Sequence, residues 1–373
     1  EEQQMVRDSI ARFIQDEYDW DTRRSIVESR EGMDRDKWRL FAELGWLSIP
    51  FSEEYGGFGG NIVDLSVVME EFGKGLVVEP YLPTVVLFGG LIRNAGNEAQ
   101  QTDWLPKIIR GEILGAFAYV ERQSRFSLQD CRTQASRSVN GYRINGEKVV
   151  VFNGEQADHL VVLARTSGNQ SDPAGLSLFI INASDVGVTK MSFPMMDGQR
   201  VANLTFKDVE VSSDALLGEE GGALLVVEQL AREAIIALGS EAVGIMGVLN
   251  EKTLEYTKTR EQFGVAIGSY QALQHRMVDT MIAYEQSKSL LFKALCEYKQ
   301  RFDSVGETVH ALKVLLDRNS KHVFGEAIQL HGGMGITDEL DVGHYAKRLM
   351  MINTTFGDGS FHRNRFIKTA FAA

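Results

Sequence analysis

The side chains of this sequence that could do chemistry gather toward its C-terminal end. In TTFGDGSFHRNR, Thr354 to Arg365, Asp358 is a carboxylate in a Gly-Asp-Gly turn. A carboxylate within hydrogen-bond reach of a C–H group can act as a general base. Asp-Gly is equally ordinary turn chemistry, because Asp bonds its own backbone and Gly accepts positive φ, so both readings stand at this position. Glu241 is a weaker candidate base: it sits, like Glu233, on a long apolar helical stretch, where a carboxylate is more often paired structurally than catalytic.

A second group of residues suits binding. KTREQFGVAIGSYQALQHRMVD, Lys258 to Asp279, joins one helical stretch to the next through Gly264 and Gly268. The Arg260 guanidinium could pair bidentately with pyrophosphate oxygens, and Phe263 offers a flat apolar wall beside an adenosine. The plain alternative is an arginine complementing the dipole at its helix end. In QLHGGMGIT, Gln329 to Thr337, Gly332 and Gly333 would let backbone come close to a ligand, although such a run is also a common helix cap and turn. His331, a lone histidine at this helix end, reads as packed or solvated.

Elements must position these groups. The chain has 373 residues, 44% of them hydrophobic, enough for two to three buried cores. Its formal charge is -12, and it lacks the basic blocks that phosphate backbones require, which argues against nucleic acid. Cys131 and Cys296 lie far apart without CxxC spacing, so no disulfide framework or zinc site is expected and a reducing cytoplasm fits. No signal-peptide pattern is read at the start. Glu228, Gln229, Arg232 and Glu233 interrupt the longest apolar stretch, which argues against a membrane span.

Residues 1–110 follow a helical period, with Met5, Ile10, Phe13 and Ile14 near one face. EEYGGFGG (Glu53 to Gly60) and EPYLP (Glu79 to Pro83) are expected to be loops. Over 111–217 the period becomes two. SVNGYRINGEKVVVF, HLVVLART, GLSLFIINA and ANLTFKDVEV predict short strands, and Asn140-Gly141 and Asn145-Gly146 predict hairpin turns. Residues 218–373 return to helix, near Ala223–Arg260, Tyr270–Gln300, Gly306–His331 and Leu340–Asn353. The expected fold class is therefore multi-domain α+β: an all-α domain, a small β-barrel or sandwich, and a four-helix bundle.

The Arg-x-x-Phe-Gly element with the following Tyr-Gln (Tyr270, Gln271), the Gln-x-x-Gly-Gly run at Gln329 and the whole-chain order of regions resemble the acyl-CoA dehydrogenases. That resemblance implies FAD, an acyl-CoA substrate, α,β-desaturation of the thioester and reoxidation by an electron-transfer flavoprotein. It also implies a dimer or tetramer in which Arg260, Phe263, Gln271, Gln329, Gly332 and Gly333 reach a flavin held mainly by the neighbouring subunit. AIQLHGGMGITDELDVGHYAKRL and FGDGSFHRNR resemble the bacterial branch that includes small subunits of pimeloyl-CoA dehydrogenase.

Three departures concern the chain's own flavin and substrate. The family's Gly-rich loop is replaced by VERQSRFS, which keeps Glu121. Where the family places Trp against the flavin and Thr near its N5, this chain has Val150 and Phe152, which cannot stack as Trp does or donate a hydrogen bond. Where the family carries Glu after an aromatic residue, this chain has Gly357 and then Asp358; the helical position some relatives use instead falls at Ala234. The expectation is the small subunit of a heteromeric acyl-CoA dehydrogenase. The alternatives are a non-catalytic subunit that completes its partner's FAD site, or a flavin oxidase or monooxygenase on the same fold.

Overall fold

The computed structural model describes residues 2–300 and 305–371. Its contacts group the chain into two compact units, one of Glu1–Arg24, Ile62–Val77 and Ile235–Ala373, the other of Ser25–Asn61 and Val78–Ala234. Along the chain the order is helical, then β, then helical, as the change of period predicts.

The second unit is built on an eight-stranded sheet of order β6-β7-β3-β2-β4-β5-β8, with β1 paired to β4. Its strands are β1 (Gly115–Ala118), β2 (Gln134–Ser138), β3 (Gly141–Phe152), β4 (His159–Arg165), β5 (Leu176–Asn182), β6 (Val188–Pro194), β7 (Arg200–Ser212) and β8 (Leu216–Leu217). Leu160, Val162, Phe179, Ile181, Leu204 and Phe206 fill its core, and the alternation of burial along β3 and β7 is the period-two pattern read in the sequence.

Two turn expectations change. The β2–β3 hairpin closes through Val139 and Asn140, with Ser138 opposite Gly141, one residue earlier than Asn140-Gly141. Asn145-Gly146 makes no turn: it lies inside β3 where the register against β7 shifts. A Cβ on Gly146 would fall 2.5 Å from Thr133 Oγ1, and φ is +151°. The glycine thus serves a bulge, because pairing to β7 continues on both sides of it. The predicted loop Glu79–Pro83 is also revised. Leu82–Gly89 is a buried π-helix that continues into α5 (Gly90–Ala95), and Pro83 is tolerated because it occupies the first turn, where N–H groups have no helical partner. EEYGGFGG holds one 3-10 turn, Glu53–Tyr55. Helices α3 (Arg35–Glu43) and α6 (Glu98–Ile109) complete this unit.

In the first unit α1 (Glu2–Glu17) packs on α4 (Ile62–Gly75) through the pairing of Arg7 with Glu70 and Glu71; α2 (Trp20–Glu28) lies between them in sequence. Helices α7 (Ala223–Thr259), which belongs to the first unit from Ile235 onward and to the second before it, α8 (Gln271–Gln300), α9 (Val305–His331) and α10 (Val342–Thr354) match the four expected stretches within two residues at each end, and a further helix, α11 (Gly359–Ala370), follows. Among the described residues, α7 alone is long and apolar enough to cross a membrane; 83% of its most apolar stretch is buried within the fold, so those side chains pack on protein.

Candidate cofactor-binding site

In the first unit the backbone leaves α7 at Arg260 and forms a two-residue hairpin. β9 (Glu261–Gln262) pairs antiparallel with β10 (Val265–Ala266), and Phe263 and Gly264 both have positive φ, +55° and +82°, the requirement of a type I′ turn. A bulky residue in this region is strained, and Phe263 is 93% exposed, so its own fold does not repay that strain. The Arg260 side chain is exposed and has no ion-pair partner among the described residues; its carbonyl accepts from Ile267 N at 2.8 Å, closing the loop. Gln271 opens α8, exposed.

One helical turn before Arg260, the Tyr256 ring stacks on His331 at 4.4 Å. His331 is buried and donates from Nδ1 to Ala327 O at 2.7 Å; burial lowers its pKa. This is the packed histidine the sequence suggested. The stack sets the root of the Arg260 hairpin beside the root of the glycine turn, while Arg276 pairs with Glu326 to tie α8 to α9. Gly332 and Gly333 follow, and a Cβ on either would meet nothing within 4 Å; on Gly335 it would fall 2.5 Å from Ile328 O. The first two glycines thus face open space, with exposed Gln329 one turn earlier. An exposed guanidinium, an exposed aromatic face and two unobstructed glycine backbones suit the phosphate and adenosine parts of a dinucleotide. Tyr256, which sequence reasoning passed over, could have been found from its i, i+4 relation to Arg260.

Asp358 begins α11 as its N-cap, Oδ1 accepting from Phe361 N at 2.8 Å. Before it, Gly357 has φ +115°, and a Cβ there would lie 2.5 Å from the Phe361 ring and 2.6 Å from His362 Nε2. The position directly after Phe356 is therefore closed to any side chain. The turn is held from below: buried Lys313 donates to the carbonyls of Ile352 (2.7 Å), Asn353 (3.2 Å) and Thr355 (2.8 Å). Burial pulls the Lys313 ammonium down to about 7, against Asp317 and Asp358. His362 Nε2 donates to Phe356 O at 2.9 Å, so its Nδ1 accepts from His310 Nδ1, 2.9 Å away. Burial first, then the Lys313 charge, pull His362 down to about 3. Sequence reasoning missed Lys313; a lysine among the apolar residues of ALKVLL was the available signal.

Glu241 is buried and bound by Arg348 through two bonds, 2.5 and 2.8 Å, the structural pairing weighed against its weak candidacy as a base. Ala234 is fully buried. In the second unit, Glu233 pairs with Arg93. There too, Val150 lies at a register shift of β3 with φ +52°, its N–H donating to Asn203 Oδ1 at 3.0 Å, and its side chain is partly exposed; Phe152 is half-buried. Glu121 is buried. Lys148, 0% exposed, donates to its Oε1 at 2.8 Å, and the N–H groups of Arg132 and Thr133 donate at 2.7 and 3.0 Å. Burial alone would raise the Glu121 pKa; Lys148, then the Gln123 side-chain amide and the Thr133 N–H, overcome it and hold it at about 2.

Three family models match the chain in succession: the acyl-CoA dehydrogenase N-terminal domain over 1–112, the middle domain over 116–209 and the C-terminal domain over 220–370. The chain is 28% identical over 355 residues to the short-chain specific acyl-CoA dehydrogenase of Clostridium acetobutylicum, covering 91% of this chain and 90% of that protein. Among solved structures it is similar to a variant of the Tcur3481-Tcur3483 steroid ACAD, with TM-score 0.88, 25% identity and coverage of 100% and 99% of the two chains. It shares its fold with PigA bound to FAD and proline, with TM-score 0.92, 22% identity and coverage of 99% and 97%.

Proposed function

The chain belongs to the acyl-CoA dehydrogenase family of oxidoreductases, and from that premise we propose that it is the small subunit of a heteromeric, FAD-dependent acyl-CoA dehydrogenase, completing a flavin site held mainly by its partner. The observation that carries this is the contrast between two parts of the first unit. The Arg260–Phe263 hairpin and the Gly332–Gly333 turn are exposed and unobstructed, whereas Asp358 caps a helix and the position before it is closed. The groups that reach outward are kept. Those that would serve a site of the chain's own are committed elsewhere or, like Val150 and Phe152, lack the functional groups such a site uses.

FAD, when bound, supplies the hydride acceptor for desaturating the thioester. The contribution of this chain is to hold it: Arg260 pairs with pyrophosphate oxygens, Phe263 covers the adenosine, the backbone at Gly332 and Gly333 approaches the ADP portion, and Gln271 and Gln329 supply side-chain hydrogen bonds. The substrate is an acyl-CoA and the electron acceptor an electron-transfer flavoprotein, by analogy with the family. The double designation of the steroid ACAD supports a two-gene assembly, and the motifs near the pimeloyl-CoA branch fit a bacterial small subunit working in the cytoplasm. A self-sufficient dehydrogenase with Asp358 as base is the second reading, supported by its position one residue past that of the family's glutamate.

Flavin absorbance of the full chain purified alone, then co-purified with the product of the adjacent gene, tests the proposal. Substoichiometric FAD alone and full occupancy in the complex are expected. One tightly held FAD per chain in a homo-oligomer overturns it.

A further inference from the structure

The end of α7 carries more than Arg260. Lys252, Tyr256 and Arg260 stand four residues apart, so they line one face of the helix at steps of about 6 Å. The first two are engaged on opposite sides of the glycine turn. Tyr256 stacks on His331, directly before Gly332, with ring centroids 4.4 Å apart and planes inclined by 29°. Lys252 Nζ meets Asp341 Oδ2 at 2.8 Å, where the chain leaves the turn and enters α10. Arg260, the third, has no ion-pair partner among the described residues.

The backing of the turn points the same way. A Cβ on Gly335 would fall 2.5 Å from Ile328 O, so the turn folds back onto α9, and one on Gly343 would lie 3.7 Å from Gly335 O, so the first turn of α10 stands directly against it. Asp338, just past the turn, pairs with His344 at 3.1 Å and Lys347 at 3.2 Å, both on α10. Near Arg260, a Cβ on Gly268 would fall 2.9 Å from Thr257 O, which sets the segment returning from the hairpin against α7. Gly332 and Gly333, with open space at their Cβ positions, are thus the free crest of a turn fastened at both feet.

We infer that Lys252 and Tyr256 are positioning residues, which fix the glycine turn beside Arg260 before a dinucleotide arrives. The inference rests on the flavin proposal for the identity of that dinucleotide, and adds which residues of α7 build its receptor. Prior placement matters because Gly332 and Gly333 have no side chains to adapt, and glycine loses more backbone freedom on ordering than any other residue. A turn already held by α7 keeps that cost out of the binding step. The two contacts do this differently. The Tyr256 ring covers a histidine only 4% exposed, and its hydroxyl has no hydrogen-bond partner among the described residues, so the ring makes the contact. The ion pair, 40% exposed on its Lys252 side, is worth little as stability and acts by placing the far foot of the turn.

Amide hydrogen exchange of the full, flavin-free chain reads the clamp, and FAD affinity of the assembled complex reads its consequence. Tyr256→Ala should speed exchange across residues 329–341 by about tenfold, leave the rest of the chain unchanged, and weaken FAD binding by about tenfold. Tyr256→Phe, which keeps the ring, should restore both. Lys252→Glu should act in the same direction by repelling Asp341, and Lys252→Glu/Asp341→Lys should recover the wild-type values. Arg260→Ala is the control, weakening FAD binding without changing exchange. Exchange at 329–341 indifferent to Tyr256→Ala, a Tyr256→Phe chain as weak as Tyr256→Ala, or a swapped pair as weak as Lys252→Glu overturns the inference. So does FAD affinity that Arg260→Ala lowers and Tyr256→Ala leaves in place. Exchange that responds to Tyr256→Ala while FAD affinity ignores Arg260→Ala overturns the flavin proposal and not the clamp.

Discussion

A carboxylate that caps a helix and one that takes a proton from carbon differ in what they lose when one oxygen becomes an amide. Asp358→Asn keeps the carbonyl oxygen that accepts from Phe361 N, and Asn caps about as well as Asp, whereas Asp358→Ala should cost about 1 kcal/mol of stability. As a cap, Asp358→Asn leaves both the denaturation midpoint and flavin reduction by acyl-CoA in the assembled enzyme unchanged; a drop of roughly a hundredfold in that rate would instead make Asp358 a base. Glu121 is the opposite case. Glu121→Gln strands the buried Lys148 ammonium, and a loss of about 3–5 kcal/mol in chemical denaturation is expected. Acid titration separates this ion pair from His362. His362 is held at about 3 in the fold against an ordinary 6.5, so the unfolded chain binds the proton first and stability falls as pH drops from 6.5 toward 3. Glu121, at about 2 against 4.5, contributes fully above 4.5 and loses its contribution between there and 2. His362→Gln should flatten the fall between pH 6.5 and 4.5 and leave the steeper loss below it, read from midpoints across that range.

At the scale of elements, the glycine turn after α9 offers a clean separation of structure from binding. Gly333 has open space at its Cβ and no positive φ, whereas Gly357 has neither room nor a permissive φ. Gly333→Ala should leave the thermal midpoint in place and weaken FAD retention in the complex, if backbone there approaches the cofactor. Gly357→Ala should destabilise the fold by more than about 1 kcal/mol through φ strain and overlap with His362. FAD retention unaffected by Gly333→Ala would remove this turn from the site. Elements were the most legible part of the sequence: α7 to α10 and the long strands follow from periodicity, since each reports its own buried face. Asn145-Gly146 misled because turn propensity is local, whereas the pairing of β3 with β7 spans some 60 residues of chain and overrides it. EPYLP misled because proline ends a helix only beyond its first turn.

For the assembled molecule, the decisive expectation concerns Arg260. Arg260→Ala in the complex should weaken FAD binding by roughly ten- to a hundredfold, the worth of a charge-assisted bond to phosphate; unchanged affinity would reduce Arg260 to a helix-end charge. Much of this reading was available from the chain as written. The order of helical, β and helical regions, the Arg-x-x-Phe-Gly and Gln-x-x-Gly-Gly elements and the departures at Val150, Phe152 and Gly357 are properties of neighbouring residues, and local spacing carries them. The tertiary structure alone decided which groups are free and which are spent. Tyr256 stacks on His331 across 75 positions, Arg348 binds Glu241 across 107, and Lys313 reaches the carbonyls before Asp358 from about 40 positions away. Such pairings depend on how helices pack, and periodicity within one helix carries no information about which partner its buried face will meet.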